Sequence, residues 1–169
     1  MEYYVRRAGF MGEMPQYLVE AEKLVRQTGH LNWNIIPILV IVIYIYNFHI
    51  GKKNWSIVLG GLALWGMDWF NEIWNALVFE FTNYAPVWGA PEETSYLIFI
   101  GLNIEICLMF LVMGPATLVA LPEDKHKKVL GINNRIVFIA FFTALAVIVE
   151  IFLNLLGALT WEYPWWSVR

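Results

Sequence analysis

Four long apolar runs constrain the fold of this 169-residue chain more than any other feature. They occupy about residues 33–50, 56–81, 95–121 and 134–160. Each run is close to or above the roughly 20 residues that a helix needs to cross the hydrocarbon core of a bilayer. The composition agrees, because 59% of the residues are hydrophobic and only 15% are charged. We predict an all-α, polytopic membrane protein, with a four-helix transmembrane bundle over residues 33–169.

The first 32 residues form a separate segment with its own pattern. From Pro15 to Thr28, apolar residues recur at spacings of one, three and four, and Gly29 follows as a natural stop. This spacing predicts an amphipathic helix. The helix either anchors the chain at the membrane surface or covers a cavity as a lid. We expect the aromatic loop 83–94 and the tail 161–166 to fold over the same end of the bundle.

Charged residues in the connections predict the orientation. The loop after the first run contains Lys52 and Lys53, and the loop after the third contains three lysines between 125 and 128. The loop after the second run contains Glu92 and Glu93 and no basic residue. Because basic loops favour the cytoplasmic side, we expect both termini to be extracytoplasmic.

Three glutamates lie well inside the apolar runs, about nine or ten residues from the nearer end: Glu72, Glu105 and Glu150. A charged side chain at the centre of a membrane helix costs roughly 3 kcal/mol on insertion scales, so such residues usually serve a function. Counting from the ends of the runs places all three roughly 14 Å of helix rise below one surface. We therefore expect them to share one layer and one site.

Other polar and aromatic side chains lie near this layer. Asp68, Glu72 and Asn75 share one helix face at i, i+4 and i+7, and Glu150 and Asn154 share another at i and i+4. Asn103 lies about 200° around its helix from Glu105 and cannot point at the same centre. We predict catalytic roles for Asp68, Glu72, Glu105 and Glu150, with Trp65, Trp69, Asn71, Asn75 and Asn154 binding the substrate.

These residue types suit acid chemistry. A carboxyl group in low-dielectric surroundings favours its neutral form, which can donate a proton. Indole rings can stabilise a cationic intermediate through cation–π contact. The alternative is structural, because polar side chains in membrane bundles also join helices, at about 0.6 kcal/mol per hydrogen bond.

The sequence offers little for other classes of site. A carboxylate-bridged metal centre would need Glu-x-x-His pairs, and the sequence has none, while His30, His49 and His126 lie at the edges of the bundle. Cys107 is the only cysteine. We expect no metal and no cofactor. Neither a nucleotide-binding loop nor a basic stripe for nucleic acid is present, and we expect no internal repeat.

One resemblance rests on a short set of motifs. The run Trp69-Phe70-Asn71-Glu72-Ile73-Trp74, then Asn103-Ile104-Glu105, Gly114-Pro115, Glu150 and Asn154, resembles two groups of small polytopic enzymes. These are the membrane-bound terpene cyclases of meroterpenoid pathways and the sterol isomerases of the emopamil-binding-protein type. The resemblance implies a helical bundle, no metal, aromatic walls and acid catalysis by glutamates matching Glu72, Glu105 and Glu150. Asp68 stands where the isomerase has a histidine.

We therefore predict an integral membrane enzyme that uses intramembrane carboxylic acids for cyclisation or isomerisation of a lipophilic, isoprenoid-like substrate. The alternative is non-catalytic: a proton- or cation-coupled transporter, or a ligand-binding or assembly subunit of a membrane complex. The expected partners are membrane lipids and the lipophilic substrate, with a homo-oligomer or a complex of other subunits as further possibilities.

Overall fold

The computed structural model describes residues 13–27, 33, 35–91 and 94–167, and most of these are helical. The prediction of a helical fold is therefore confirmed. Thr28, Gly29, His30, Glu92 and Glu93 lie outside the described residues. In chain order the elements are α1 (Gln16–Leu24), α2 (Ile35–Gly51), α3 (Trp55–Thr82), β1 (Leu97–Phe99), β2 (Leu102–Asn103), α4 (Ile104–Ala120), β3 (Lys128–Val129), β4 (Ile132–Asn133) and α5 (Asn134–Leu156).

The lengths of these helices bear on how the chain meets a membrane. Among the helices described, α5, with 23 residues, is the one long and apolar enough to cross a bilayer. Helices α2 and α4 are apolar but have 17 residues each. Helix α3 has 28 residues, and its apolar sequence is interrupted by Asp68, Glu72 and Glu80. Length and composition alone therefore support one spanning helix.

Helices α2, α3 and α4 pack against one another, and small residues set the distance between them. A Cβ atom added to Gly114 of α4 would lie 2.7 Å from the Cα atom of Gly61 of α3. One added to Gly61 would lie 2.7 Å from the ring of Pro115 and 2.8 Å from the hydroxyl of Tyr46 on α2. Glycines at such positions let helix backbones approach closely.

The third predicted run is only partly helical. We predicted an apolar helix over 95–121, but α4 begins at Ile104, and the residues before it form the β1–β2 hairpin. The Asn103 side chain accepts a hydrogen bond of 2.8 Å from the backbone N–H of Ile106 and so caps the helix. The apolar residues of the hairpin are buried by protein instead, since Leu97, Ile100 and Leu102 are all buried.

One end of the bundle is covered by a cap, which we define as α1, residues 83–103 and residues 158–167. Leu18, Ala85, Val87, Ile100 and Tyr163 form its core. The hydroxyl of Tyr163 donates a 2.8 Å hydrogen bond to the carbonyl of Ala85, and residues 89 and 160 form an isolated β-bridge. The predicted meeting of the loop, the tail and the N-terminal helix at one end is confirmed for the residues described.

Helix α1 is shorter than predicted because its C-terminal end joins the cap. Val25 forms a bridge with Leu97, and the N–H of Arg26 donates a 2.8 Å hydrogen bond to the carbonyl of Leu97. Leu18 is wholly buried among protein side chains. These contacts favour the lid over the surface anchor.

A short hairpin–helix unit occurs twice. Residues 99–106 (FIGLNIEI) and 129–136 (VLGINNRI) share the pattern apolar, apolar, Gly, apolar, Asn, two variable residues and Ile. In both units a two-stranded hairpin leads into an apolar helix. Asn133 accepts a 2.9 Å hydrogen bond from the N–H of Arg135, as Asn103 does from Ile106. The match is confined to these eight residues, so the prediction that the chain has no internal repeat stays a prediction.

The second unit leads into a helix that stands apart from the bundle. Residues 139–150 of α5 are exposed on every side. The helix is held at its ends: the side chain of Asn134 donates a 2.8 Å hydrogen bond to the carbonyl of Asp124, and Thr160 pairs with Gly89 in the cap.

Candidate functional site

Three polar side chains form the centre of the candidate site on α3. Asp68, Glu72 and Asn75 are 6%, 4% and 1% exposed, and they lie on one face of the helix, as the sequence predicts. The contacts of Glu72 and Asn75 show that this part of the face lies under the cap. Apolar residues hold α3 in place, so three buried polar groups on one face are costly unless they have partners.

Asn75 satisfies its hydrogen bonds with the loop above it. Its amide nitrogen donates to the carbonyl of Trp88 over 2.8 Å. Its oxygen accepts from the backbone N–H of Val87 over 2.7 Å and from that of Trp88 over 3.3 Å. This side chain therefore fixes the position of Trp88 and is not free to bind a substrate.

Glu72 has one satisfied oxygen and one without a partner. The indole N–H of Trp88 donates to Oε1 over 2.7 Å. Oε2 is buried and has no hydrogen-bond partner among the described residues. The turn of the β1–β2 hairpin lies directly over it, because a Cβ atom added to Gly101 would lie 2.5 Å from Oε2. Only glycine leaves room for the carboxyl group at this position.

Asp68 lies one helical turn below Glu72, on the side away from the cap. Its Oδ2 atom is also buried without a partner in the part of the chain that the structure describes. Asp68 and Glu72 are close enough to interact electrostatically. The two carboxyl groups therefore form a pair, and each has one buried oxygen without a hydrogen-bond partner among the described residues.

Aromatic rings extend beside this pair. The rings of Trp65 and Trp69 are 5.9 Å apart, and those of Trp69 and Phe99 are 6.1 Å apart, both in edge-to-face arrangements. The indole N–H of Trp65 contacts the sulfur of Cys107 on α4 at 3.1 Å. The predicted aromatic neighbours of the acids, Trp65 and Trp69, thus form part of a continuous ring wall.

Glu105 is bonded to the loop that precedes the hairpin, and its predicted catalytic role stays a prediction. It accepts hydrogen bonds from the hydroxyl of Thr94 and from the backbone N–H of Ser95, the latter at 3.0 Å. Because α4 begins at Ile104, Glu105 lies in the first turn of the helix and not in its middle. It holds the loop before the hairpin and does not join the pair on α3.

Glu150 and Asn154 also lie apart from the pair. Glu150 is exposed on α5 and makes no hydrogen bond to any residue in the described ranges. Asn154 donates a 3.0 Å hydrogen bond to the carbonyl of Leu159 and so closes the end of its own helix. The predicted layer of three glutamates fails because a common depth does not give a common direction. Asn71 is exposed as well and does not line the site.

Sequence reasoning missed three residues that complete the site: Trp88, Phe99 and Gly101. All three belong to the cap, which meets α3 through contacts between distant parts of the chain. The available signal was the loop Ala85-Pro86-Val87-Trp88-Gly89, where a large aromatic side chain sits among residues that fix loop conformation. Within the described ranges, no group of three or more His, Cys, Asp or Glu side chains could hold a metal ion.

Comparison with known proteins gives the family of the chain. Residues 15–169 match a family described as an uncharacterized membrane protein family. The chain belongs to this membrane protein family. It is also 55% identical over 150 residues to an uncharacterized protein of Archaeoglobus fulgidus, covering 89% of this chain and 71% of that protein. No solved structure matches the chain. Membrane localisation, predicted from the apolar runs, is thus supported by the family.

Proposed function

We propose that this chain is an integral membrane enzyme in which Asp68 and Glu72 perform general-acid chemistry on a lipophilic, isoprenoid-like molecule. The observation that supports this function is the pair of buried carboxyl groups, each with one oxygen lacking a partner among the described residues. Leaving a buried polar atom unpaired costs about 1–3 kcal/mol. A fold that keeps two such atoms one turn apart has the features of a site that handles a ligand or a proton.

The pair can both give and take a proton. In its neutral form, Glu72 donates a proton to one carbon of a double bond, which leaves a cation on the neighbouring carbon. The faces of Trp65 and Trp69 stabilise that cation. The carboxylate of Asp68 then removes a proton from an adjacent carbon, so that the C–H bond breaks and a double bond forms at a new position. Cyclisation differs only in that a second double bond attacks the cation before the proton leaves.

Trp88 and Gly101 position the acid. The hydrogen bond from Trp88 to Oε1 fixes the carboxyl group of Glu72 and leaves Oε2 as the reactive atom. The hairpin turn at Gly101 covers Oε2 and separates it from solvent on the cap side. A lipophilic substrate would therefore reach the pair from the bilayer, along the wall formed by Trp65, Trp69 and Phe99.

In this proposal α2, α3, α4 and α5 all cross the membrane, with the cap and both termini outside the cytoplasm. At 1.5 Å per residue the two 17-residue helices span roughly 25 Å, at the lower end of the range for spanning helices. Large apolar side chains on all four helices are exposed. Impermeant thiol labelling should reach Glu13→Cys in intact cells and should miss Leu130→Cys. Equal labelling of the two would refute this orientation.

The function is tested on the protein as it is purified. Mass spectrometry of the lipophilic molecules that copurify would identify the substrate class, and the extract would then be incubated with the protein to follow conversion. Glu72→Gln keeps the shape and the hydrogen bond from Trp88 but removes the transferable proton, so we expect bound molecule without conversion. Glu80→Gln, an exposed glutamate on the same helix, is the matched control and should convert as wild type does.

Two outcomes would count against the enzyme. Conversion at the wild-type rate in both Glu72→Gln and Asp68→Asn would exclude the pair as the acid. Proton flux into vesicles that is lost in Glu72→Gln, with no converted lipid in the wild type, would favour the transporter.

A further inference from the structure

The region between α4 and the first turns of α5 encloses an open cleft of about 580 Å³. All of its lining residues fall between positions 122 and 141, so the cleft is separate from the acid pair on α3. A volume of this size suits a small molecule or part of a lipid. The lining combines charged, amide and apolar side chains, among them Glu123, Asp124, Lys127, Asn134, Phe138 and Phe141.

The polar and the apolar parts of the lining are separated along α5. Asn134 is the first residue of the helix, and its charged neighbours in the cleft all precede it in the chain. The apolar lining residues Val137, Phe138 and Phe141 follow Asn134 at i+3, i+4 and i+7, so they share one helix face with it. Phe141 lies roughly 10 Å of helix rise beyond Asn134. The cleft is therefore polar at the loop and apolar further along the helix.

This order matches that of a membrane lipid. Among the helices described, α5 is the one long and apolar enough to cross a bilayer, and the chain belongs to a membrane protein family. When α5 crosses the membrane, the loop before Asn134 lies at the surface, and Phe141 lies at the depth of the lipid chains. A lipid beside the helix places its headgroup and its chains at the same two levels.

Asn134 supplies a buried acceptor at the polar end. It is 7% exposed, and its amide nitrogen donates a 2.8 Å hydrogen bond to the carbonyl of Asp124. Because a carbonyl oxygen only accepts, this bond fixes which end of the amide is the oxygen. That oxygen, Oδ1, is buried without a hydrogen-bond partner among the described residues. A ligand that satisfies it must carry a donor, and the carboxylates of Glu123 and Asp124 on the same lining favour a positively charged one.

Lys127 supplies the opposite charge on the same lining, and a lysine ammonium group is a common partner of phosphate. We propose that the cleft binds a membrane phospholipid whose headgroup carries a primary amine, as in phosphatidylethanolamine. The ammonium group of the headgroup donates to Oδ1 of Asn134 and faces the loop carboxylates. The phosphate meets Lys127, and one chain lies along Phe138 and Phe141. The headgroup thus complements the acceptor and both charges, and the chain covers the apolar part of the lining.

Exchange of the headgroup tests the site without altering the protein. The purified protein in detergent is titrated with phosphatidylethanolamine or phosphatidylcholine of identical chains, and bound lipid is measured by native mass spectrometry. Phosphocholine has the same charges but no N–H donor, so phosphatidylethanolamine should bind about tenfold more tightly, the equivalent of roughly 1.4 kcal/mol. Equal affinity would overturn the proposal, as would displacement of the lipid by soluble phosphoethanolamine at an equal concentration.

The acceptor is tested by Asn134→Leu, which removes Oδ1. The preference for phosphatidylethanolamine over phosphatidylcholine should then fall from about tenfold to about twofold or less. A preference that stays at the wild-type level would overturn the proposal. Because this change also removes the bond to Asp124, a second variant that leaves the loop bonded is needed.

Two adjacent lysines separate this site from a general attraction between basic residues and lipid phosphates. Both are exposed, but Lys127 lines the cleft, and Lys128 lies beside it on β3 and does not. Lys127→Ala should weaken the binding of phosphatidylethanolamine about fivefold, and the matched control Lys128→Ala should stay within about twofold of wild type. Equal weakening by the two variants, or none by Lys127→Ala, would overturn the proposal.

Discussion

The two hairpin–helix units have the same local structure and opposite surroundings. In the first, the turn at Gly101 lies on Glu72, and α4 packs on α3 at Gly114. In the second, a Cβ atom added to Gly131 would meet nothing within 4 Å, Leu130 is 98% exposed, and α5 stands apart. The shared pattern therefore specifies a hairpin and a capped helix. What packs against each unit determines the role of that unit. One unit closes a site, and the other presents a surface.

Helix packing should separate the two units most clearly. Gly114→Ala places a methyl group against the backbone of Gly61, so α3 and α4 must move apart, and we expect a loss of about 3 kcal/mol of stability. Leu145→Ala shortens an exposed side chain on α5 and should change stability by less than about 0.5 kcal/mol. Thermal unfolding in detergent measures both.

A second glycine provides the control for helix propensity. Gly66 lies on α3 with nothing within 4 Å of its added Cβ atom, so Gly66→Ala should be neutral or slightly stabilising. If Gly114→Ala and Gly66→Ala had the same effect, the close contact in the first unit would not stabilise the fold.

Two asparagines extend the comparison to hydrogen bonds. Asn75→Ala removes three hydrogen bonds to the loop at 87–88 and leaves buried backbone groups unpaired, so we expect a loss of about 2 kcal/mol. Asn154→Ala on α5 removes one bond to a carbonyl and should cost about 1 kcal/mol. Chemical unfolding monitored by tryptophan fluorescence gives both values. A larger loss of stability for Asn154→Ala than for Asn75→Ala would contradict the view that the first unit is firmly packed and that α5 stands apart.

Helix positions were largely predictable from the sequence. The runs 33–50 and 56–81 correspond to α2 and α3 within two residues at each end. The run 95–121 was misjudged because a hairpin buried by protein is as apolar as a helix buried by lipid. Asn103 was the signal for a helix start, and its position inside an apolar run concealed it.

The site was predictable where it depends on one helix alone. Helical periodicity puts Asp68, Glu72 and Asn75 on one face whatever surrounds them. Counting along the chain gave Glu105 and Glu150 a depth but no direction. In the structure Glu105 is bonded to the loop at 94–95, and Glu150 is exposed on α5. Trp88 and Gly101 reach the site because their loops contact α3. Helical periodicity does not predict such contacts between residues that are distant in sequence.

The smallest expected effect is a dependence of the stability of the cap on pH. The cap lies at the opposite end of the molecule from the exposed hairpin. Burial, followed by the hydrogen bond with Glu162, raises the pKa of Tyr17 well above its ordinary value of 10.0. The folded cap therefore holds this proton more tightly than the unfolded chain does. The stabilisation is complete below about pH 10 and declines as the pH rises beyond it.

Amide hydrogen exchange of peptides from α1 and from residues 158–167 follows this decline. After correction for the intrinsic exchange rate at each pH, the wild-type cap should lose protection above about pH 10, and Tyr17→Phe should show a weaker dependence. An identical dependence in the two proteins would mean that Tyr17 does not link the cap to pH.

Deuterium incorporation tests the central claim, that Glu72 is the proton donor, most directly. The purified protein is incubated in D₂O with the lipophilic molecules that copurify with it, and the products are analysed by mass spectrometry. Acid transfer from Glu72 to a double bond predicts deuterium on carbon in the product of the wild type and of Glu80→Gln, and none with Glu72→Gln. Deuterium at the wild-type level with Glu72→Gln would contradict the account.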